Sequence, residues 1–195
     1  MKKFLLALIV FGSIITSSFA QSSGIGNFNL GLYGGLPLSN MKKIFDAGVG
    51  GSLKYEYRLG SLPFQKKPDF LNNLYITLEC GYEVFNVKTE LQNAYVPSTY
   101  GYVPLKAGLK YYAFKGLYAE WQMGRITYTQ HGGGHSFEYS PGIGYSFKKG
   151  FEVGVRYEKW IQTPENHITG DYGQSGPFAG ISDFKQWELR LAERF

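Results

Sequence analysis

The chain has 195 residues, and its 20 Lys and Arg against 15 Asp and Glu leave a formal charge of +5, too mild a surplus to mark a nucleic-acid-binding protein. One cysteine rules out an internal disulfide framework, so burial and backbone pairing must hold the fold. Sixteen tyrosines, 15 phenylalanines and 26 glycines favour strands and tight turns over helices.

The opening MKKFLLALIVFGSIITSSFA combines a basic start (Lys2, Lys3), an apolar run from Phe4 to Ile15 and small residues at Ser18 and Ala20. That run is shorter than the roughly 20 residues a spanning helix needs, and the pattern predicts a secretory signal peptide over residues 1–20, cleaved after Ala20. The single cysteine, Cys80, lies far from this point, so a lipoprotein-type anchor is not expected there. Residues 21–195 then read as one domain, since no linker or low-complexity tract interrupts them. Without Lys2 and Lys3 the balance is 18 basic residues to 15 acidic, a formal +3.

The mature sequence repeats a period of two. Phe28, Leu30, Leu32 and Leu36 begin it. Ala47, Val49, Leu53, Tyr55 and Tyr57 then alternate with Gly48, Gly50, Ser52, Lys54, Glu56 and Arg58. Leu74, Ile76, Leu78, Cys80, Tyr82 and Val84 oppose Thr77, Glu79 and Glu83; Val103, Leu105, Ala107, Leu109 and Tyr111 oppose Lys106 and Lys110. Leu117, Ala119, Trp121 and Met123 oppose Glu120 and Gln122. Phe137, Tyr139, Ile143, Tyr145 and Phe147 oppose Glu138 and Ser140, and Phe151, Val153, Val155 and Tyr157 oppose Glu152, Arg156 and Glu158. The ending QWELRLAERF sets Trp187, Leu189, Leu191 and Phe195 against Glu188, Arg190 and Arg194, with Glu193 interrupting the apolar row. This predicts about eight strands of roughly ten residues, the length that crosses a bilayer when tilted. Short links at 115–116 and 148–150 alternate with long polar ones near 86–101, 128–136 and 162–180, the mark of an up-and-down antiparallel meander. The link at 60–72 is too long for the short-turn side and is expected to fold over the rim.

Alternation alone leaves open which face points inward. If the apolar face were inside, Trp121, Tyr55, Tyr57, Phe137, Tyr139, Tyr145 and Phe147 would crowd a narrow lumen. Turned outward, they meet lipid, with tyrosine and tryptophan near strand ends as interfacial girdles. The expected fold is therefore all-β: an eight-stranded antiparallel up-and-down transmembrane β-barrel with both termini periplasmic.

The stretches GLYGGLPLSN, VPLKAGLKYYAFKGLYAEWQMG, YSPGIGYSF, FEVGVRYEKW and the terminal WELRLAERF resemble the small bacterial outer-membrane β-barrels of OmpA/OmpX type. The resemblance spans nearly all of the mature chain. It implies a Gram-negative outer-membrane location, contact with outer-membrane lipid and lipopolysaccharide, and an assembly signal for the barrel-assembly machinery at Trp187, Leu189, Leu191 and Phe195.

An eight-stranded lumen is filled by side chains, so an open channel is not expected. Lys54, Glu56, Arg58, Glu79, Glu83, Lys106, Lys110, Glu120, Glu138, Arg156, Glu158, Glu188 and Arg190 are the candidate lumen network, with Glu56 or Glu79 expected to reach a Lys or Arg across it. Function then moves to the long loops, whose Tyr, Thr, Ser and Gly suit contacts with extracellular protein or glycan. Envelope integrity or surface interaction is the leading reading, without enzymatic activity, cofactor or metal. Two alternatives remain. A lipid A deacylase would use the QHGGGHSFE stretch, where His131, His135, Ser136 and Glu138 gather, although adjacent His135 and Ser136 would point to opposite faces of a strand. A narrow pore for small apolar solutes would need a gap near one rim. Two histidines across a flexible triple glycine lack a third ligand, and Cys80 sits in an apolar row as a small hydrophobe.

Overall fold

The structure is a computed structural model that describes residues 26–63, 68–92, 97–129, 135–161 and 183–195. The signal-peptide segment and the whole of the 162–180 link lie outside the described residues, as does His131. Eight strands form one closed barrel in which each pairs antiparallel with its neighbours in sequence and the last pairs with the first. They are β1 (Gly26–Leu38), β2 (Phe45–Arg58), β3 (Leu74–Val87), β4 (Thr99–Phe114), β5 (Leu117–Tyr128), β6 (His135–Ser146), β7 (Phe151–Ile161) and β8 (Asp183–Arg194). At 11 to 16 residues the strands outrun the sequence expectation, because pairing continues past the apolar belt toward the long-link rim. Among the described residues no helix is long and apolar enough to cross a membrane, which says nothing of strands.

One rim carries the tight turns and both ends of the described barrel. Gly116 (φ 95°) closes β4–β5 and Gly150 (φ 85°) closes β6–β7, both in the left-handed region that favours glycine. The 60–72 connection sits on this same rim and is folded, as two short 3₁₀ turns at Leu59–Ser61 and Asp69–Asn73 with Gly60 packed beneath Asn72. At the opposite rim the β1–β2 link is short and carries helix α1 (Met41–Ile44), whose Met41 and Ile44 are buried.

The period of two decides which side chains meet in the middle. Leu32, Val49, Leu78, Leu105, Trp121, Ile143, Val155 and Leu189 are exposed on the outside, while Lys54, Glu79, Lys106, Gln122, Glu138, Arg156 and Glu188 are buried inside. A water-soluble fold would invert this. Exposing a continuous apolar belt while burying charge lowers free energy only if the outside solvent is hydrocarbon. Trp121, Tyr55, Tyr57, Phe137, Tyr139, Tyr145 and Phe147 all avoid the lumen, which inward glycines keep passable for long side chains: the Arg190 guanidinium occupies the space a Cβ on Gly31 would need. Cys80 is exposed on the outer face.

Candidate functional site

Among the described residues the lumen is where chemistry-bearing side chains converge, and it has three charged tiers beneath an aromatic one. Nearest the tight-turn rim, Lys110 Nζ donates to Glu56 Oε1 at 2.8 Å and to both oxygens of Glu152 at 2.9 Å. Its ammonium lies 3.9 Å from the centroid of the Tyr118 ring and 5.0 Å from that of Tyr112. Glu152 also accepts from Asn29 Nδ2 (2.9 Å) and the Tyr112 hydroxyl (3.0 Å), and Arg194 Nη1 donates to Tyr112 Oη. Alongside, Lys54 Nζ donates to Glu120 Oε1 at 2.9 Å and lies 3.3 Å from Glu56. Glu56 is thereby shared between two lysines.

Arg156 organises the middle tier. Its Nη1 donates to Glu79 Oε2 and to Gln122 Oε1, both at 2.8 Å, its Nε donates to Glu188 Oε1 at 2.9 Å, and its Nη2 also bonds Glu188. One guanidinium on β7 thus ties β3, β5 and β8, a use of its rigid fork that a lysine could not reproduce. Arg190 donates to Asn29 Oδ1 at 2.8 Å and stands 3.8 Å from Glu79.

In the third tier Lys106 Nζ donates to Glu158 Oε1 at 2.7 Å and to Glu138 Oε1 at 3.4 Å. The Gln186 amide bridges Glu158 (2.6 Å) and Glu83 (3.2 Å), so Glu83 is held by an amide rather than by a cation. Of the thirteen candidate network residues, twelve are buried in the lumen; Arg58 is not. It has the inward parity but sits exposed at the tight-turn rim, where its Nε donates to Ser61 Oγ at 3.4 Å. Its strand ends there, so alternation runs past the end of the lumen.

Sequence reasoning set aside members that the structure needs. Glu152, inward by parity, joins the network through Lys110, and the neutral bridges Asn29, Gln122, Gln186 and Ser52 carry no charge that would mark them in the sequence. Among the described residues eight buried glutamates face five buried Lys and Arg, so neutral donors must serve the surplus carboxyls.

Above these tiers the lumen turns apolar. Met41, Ile44, Phe45, Phe85, Val87, Tyr100, Tyr102, Ile126, Tyr128, Trp160 and Phe184 form one buried cluster at the long-link rim. Tyr102 lies 4.8 Å from Trp160 and 5.3 Å from Tyr128 between ring centroids. Other aromatics than the seven that face outward do fill the lumen at this level. The signal was present in the inward rows themselves, which change character along each strand: Glu79, Gly81, Glu83, then Phe85, Val87; or Glu152, Gly154, Arg156, Glu158, then Trp160.

Of the remaining candidates, Ser136 points inward, buried, with its Oγ 2.6 Å from the Tyr128 hydroxyl, while neighbouring His135 takes the outward parity. They do not face one another, and Glu138 is engaged by Lys106. Among the described residues no group of His, Cys, Asp or Glu is arranged to hold a metal. Trp187, Leu189 and Leu191 lie exposed on the outer face of β8, and the Phe195 amide donates to the Phe28 carbonyl, continuing the seam with β1.

No protein-family model matches the chain. No curated protein matches it either. Solved structures do. The outer membrane protein Ail of Yersinia pestis in a phospholipid bilayer nanodisc superimposes with a TM-score of 0.51 at 12% identity, over 87% of this chain and 99% of that one. The crystal structure of Ail, the attachment invasion locus protein, gives 0.50 at 12% identity over 87% and 97%. The chain has the fold of the small eight-stranded outer-membrane β-barrels. The N-terminal barrel domain of Pseudomonas aeruginosa OprF is a further match, with a TM-score of 0.47 at 11% identity over 87% and 97%. At this identity the likeness concerns the fold, and the apolar outside with its salt-bridged inside is what this barrel adds from its own residues.

Proposed function

We propose that the protein is a non-enzymatic barrel of the Gram-negative outer membrane with a sealed lumen, its tight-turn rim and both termini in the periplasm. It contributes to envelope integrity or to surface contact through the links at the opposite rim. The observation that carries this reading is the filling of the lumen by two different materials in series: ion-paired tiers, then the aromatic cluster of Phe45, Phe85, Tyr102 and Trp160. A solute would have to pass both. The same filling argues against the apolar-solute pore, which needs a gap at one rim. The hydrolase reading gains nothing from the geometry, since Ser136 faces Tyr128 and not His135.

The two tight turns at Gly116 and Gly150 support the orientation, although the 60–72 connection shares their rim, because barrels of this fold keep short turns on the periplasmic side and long loops outside. In this placement Trp187, Leu189, Leu191 and Phe195 act as the assembly signal of the closing strand. Planar-bilayer recording tests the sealed lumen: the purified barrel is expected to show no steady conductance. Replacing Phe85 and Trp160 by alanine together should leave the recording silent, because the ion-paired tiers still block the path. Steady conductance in the unmodified protein would overturn the proposal.

A further inference from the structure

Charge is not balanced evenly among the tiers. In the third, Glu83, Glu138 and Glu158 share one ammonium, that of Lys106, which donates to Glu158 and Glu138. Arg156 approaches Glu158 only to 3.9 Å and is engaged by Glu79 and Glu188. Among the described residues Glu83 pairs with no cation, and both of its oxygens accept from the Gln186 amide at 3.2 Å. A neutral donor satisfies a hydrogen bond but leaves the charge in place, and a buried charge without a counter-charge is costly.

The amide itself shows where the counter-charge belongs. Its nitrogen must face Glu83 and Glu158, because the amide turned over would set its oxygen against two carboxylates. Gln186 Oε1 therefore points the other way, fully buried and with no hydrogen-bond partner among the described residues. It leans toward Gly35, an inward residue of β1. A Cβ on Gly35 would lie 2.7 Å from Glu83 Oε1 and nearer still to Gln186 Oε1, with the edge of the Phe85 ring at 3.1 Å. A carboxylate oxygen and an orphaned amide oxygen thus converge on one notch, which a side chain at residue 35 would fill.

Oxygen ligands of this kind suit a hard cation. Calcium and zinc call for more acidic or nitrogen ligands than the notch provides, in keeping with the lack, among the described residues, of a His, Cys, Asp and Glu group able to hold a metal. One unanswered carboxylate asks for one positive charge. We propose that the notch at Gly35 is a binding site for a small monovalent cation, sodium or potassium, held by Glu83 Oε1 and Gln186 Oε1 with trapped water completing its shell. The ion supplies the positive charge that the third tier lacks. With the aromatic cluster on one side and the other ion-paired tiers on the other, it enters as the barrel closes and stays.

The test is the stability of the full barrel, refolded into vesicles and titrated with urea in sodium chloride, potassium chloride or N-methylglucamine chloride of equal concentration, so that screening is the same and only the cation differs. Sodium or potassium at about ten times its half-saturating concentration should raise the folded-to-unfolded ratio about tenfold over N-methylglucamine. The better of the two is the occupant, and desalted barrel should retain it in stoichiometric amount by elemental mass spectrometry. Glu83→Gln removes the charge while keeping the shape and should abolish both effects. Gly35→Ala fills the notch with the charge intact and should abolish them as well, which keeps the test decisive if one variant fails to fold. Glu90→Gln, exposed in the β3–β4 link, should keep both. Equal stability in the three salts overturns the site, and so does a cation preference that survives Gly35→Ala. A barrel indifferent to the salts but steadily more stable toward acid pH, with that gain lost in Glu83→Gln, would put a proton in place of the ion and likewise overturn it.

Discussion

The two halves of the lumen solve the same packing problem with opposite chemistry. Toward the tight-turn rim the filling is directional. Arg156 holds Glu79, Gln122 and Glu188 on three other strands, and Lys110 holds Glu56 and Glu152. Toward the long-link rim the filling is shape alone: rings from β2, β3, β4, β5, β7 and β8 lean on one another with Met41 and Ile44 of α1 between them. The first half fixes register, because a slip of one residue would turn every charge into lipid. The second needs only volume. Among the described residues both halves leave buried polar atoms without a hydrogen bond, Tyr102 Oη and Trp160 Nε1 in the aromatic half and Glu56 Oε2, Glu138 Oε2 and Glu188 Oε2 in the ion-paired one.

The largest effect should come from breaking the directional half at its hub. Arg156→Leu strands Glu79 and Glu188 in the interior and is expected to cost about 3–5 kcal/mol. Urea titration of barrels folded into vesicles, followed by the gel shift between folded and heated protein, measures it. A loss under 1 kcal/mol would mean that water enters the middle tier and hydrates both carboxylates, and the contrast between the halves would collapse.

The opposite sign is expected for a polar deletion in the aromatic half. Tyr102→Phe removes a hydroxyl that has no partner among the described residues, keeps the ring contacts with Tyr128 and Trp160, and should stabilise the barrel by about 1 kcal/mol. The same titration reads it. Destabilisation by this substitution would place a bound water on Tyr102 and make the cluster a wetter region than its rings suggest.

Why one half was legible in the sequence and the other was not follows from what alternation encodes. A charged residue in every second place, as in Lys54, Glu56 or Glu79, Glu83, announces a face distinct from its apolar neighbours. At the long-link rim both faces become apolar or aromatic, as in Tyr100, Tyr102, Val103, so the contrast vanishes although the parity persists. The alternation therefore begins later than the pairing does: β2 starts at Phe45, ahead of Ala47, and β4 at Thr99, inside the 86–101 link. Arg58 shows the reverse error, parity kept where the barrel has already ended. Who pairs with whom across the lumen is a matter of strand stagger, and no single strand's sequence carries it. Lys106 reaches Glu158 on β7, three strands away, and Gln186 was invisible as a bridge until β8 stood beside β7 and near Glu83.

The smallest effect belongs to the outer face of the closing strand. Glu193 stands in the outward row of Trp187, Leu189 and Leu191, one pair from the tight-turn rim, opposite Leu30 on β1 and Phe151 on β7. It is half-buried, and at this height a carboxylate can lean into the headgroup region, so its cost is on the order of 0–1 kcal/mol. Glu193→Tyr should therefore leave stability nearly unchanged and raise the yield of folded barrel slightly, measured as the heat-modifiable fraction in membranes. A fall in that fraction would place residue 193 against polar partners instead of lipid. It would also reverse the parity of β8, since Glu188 and Arg190 could not then face Arg156 and Asn29.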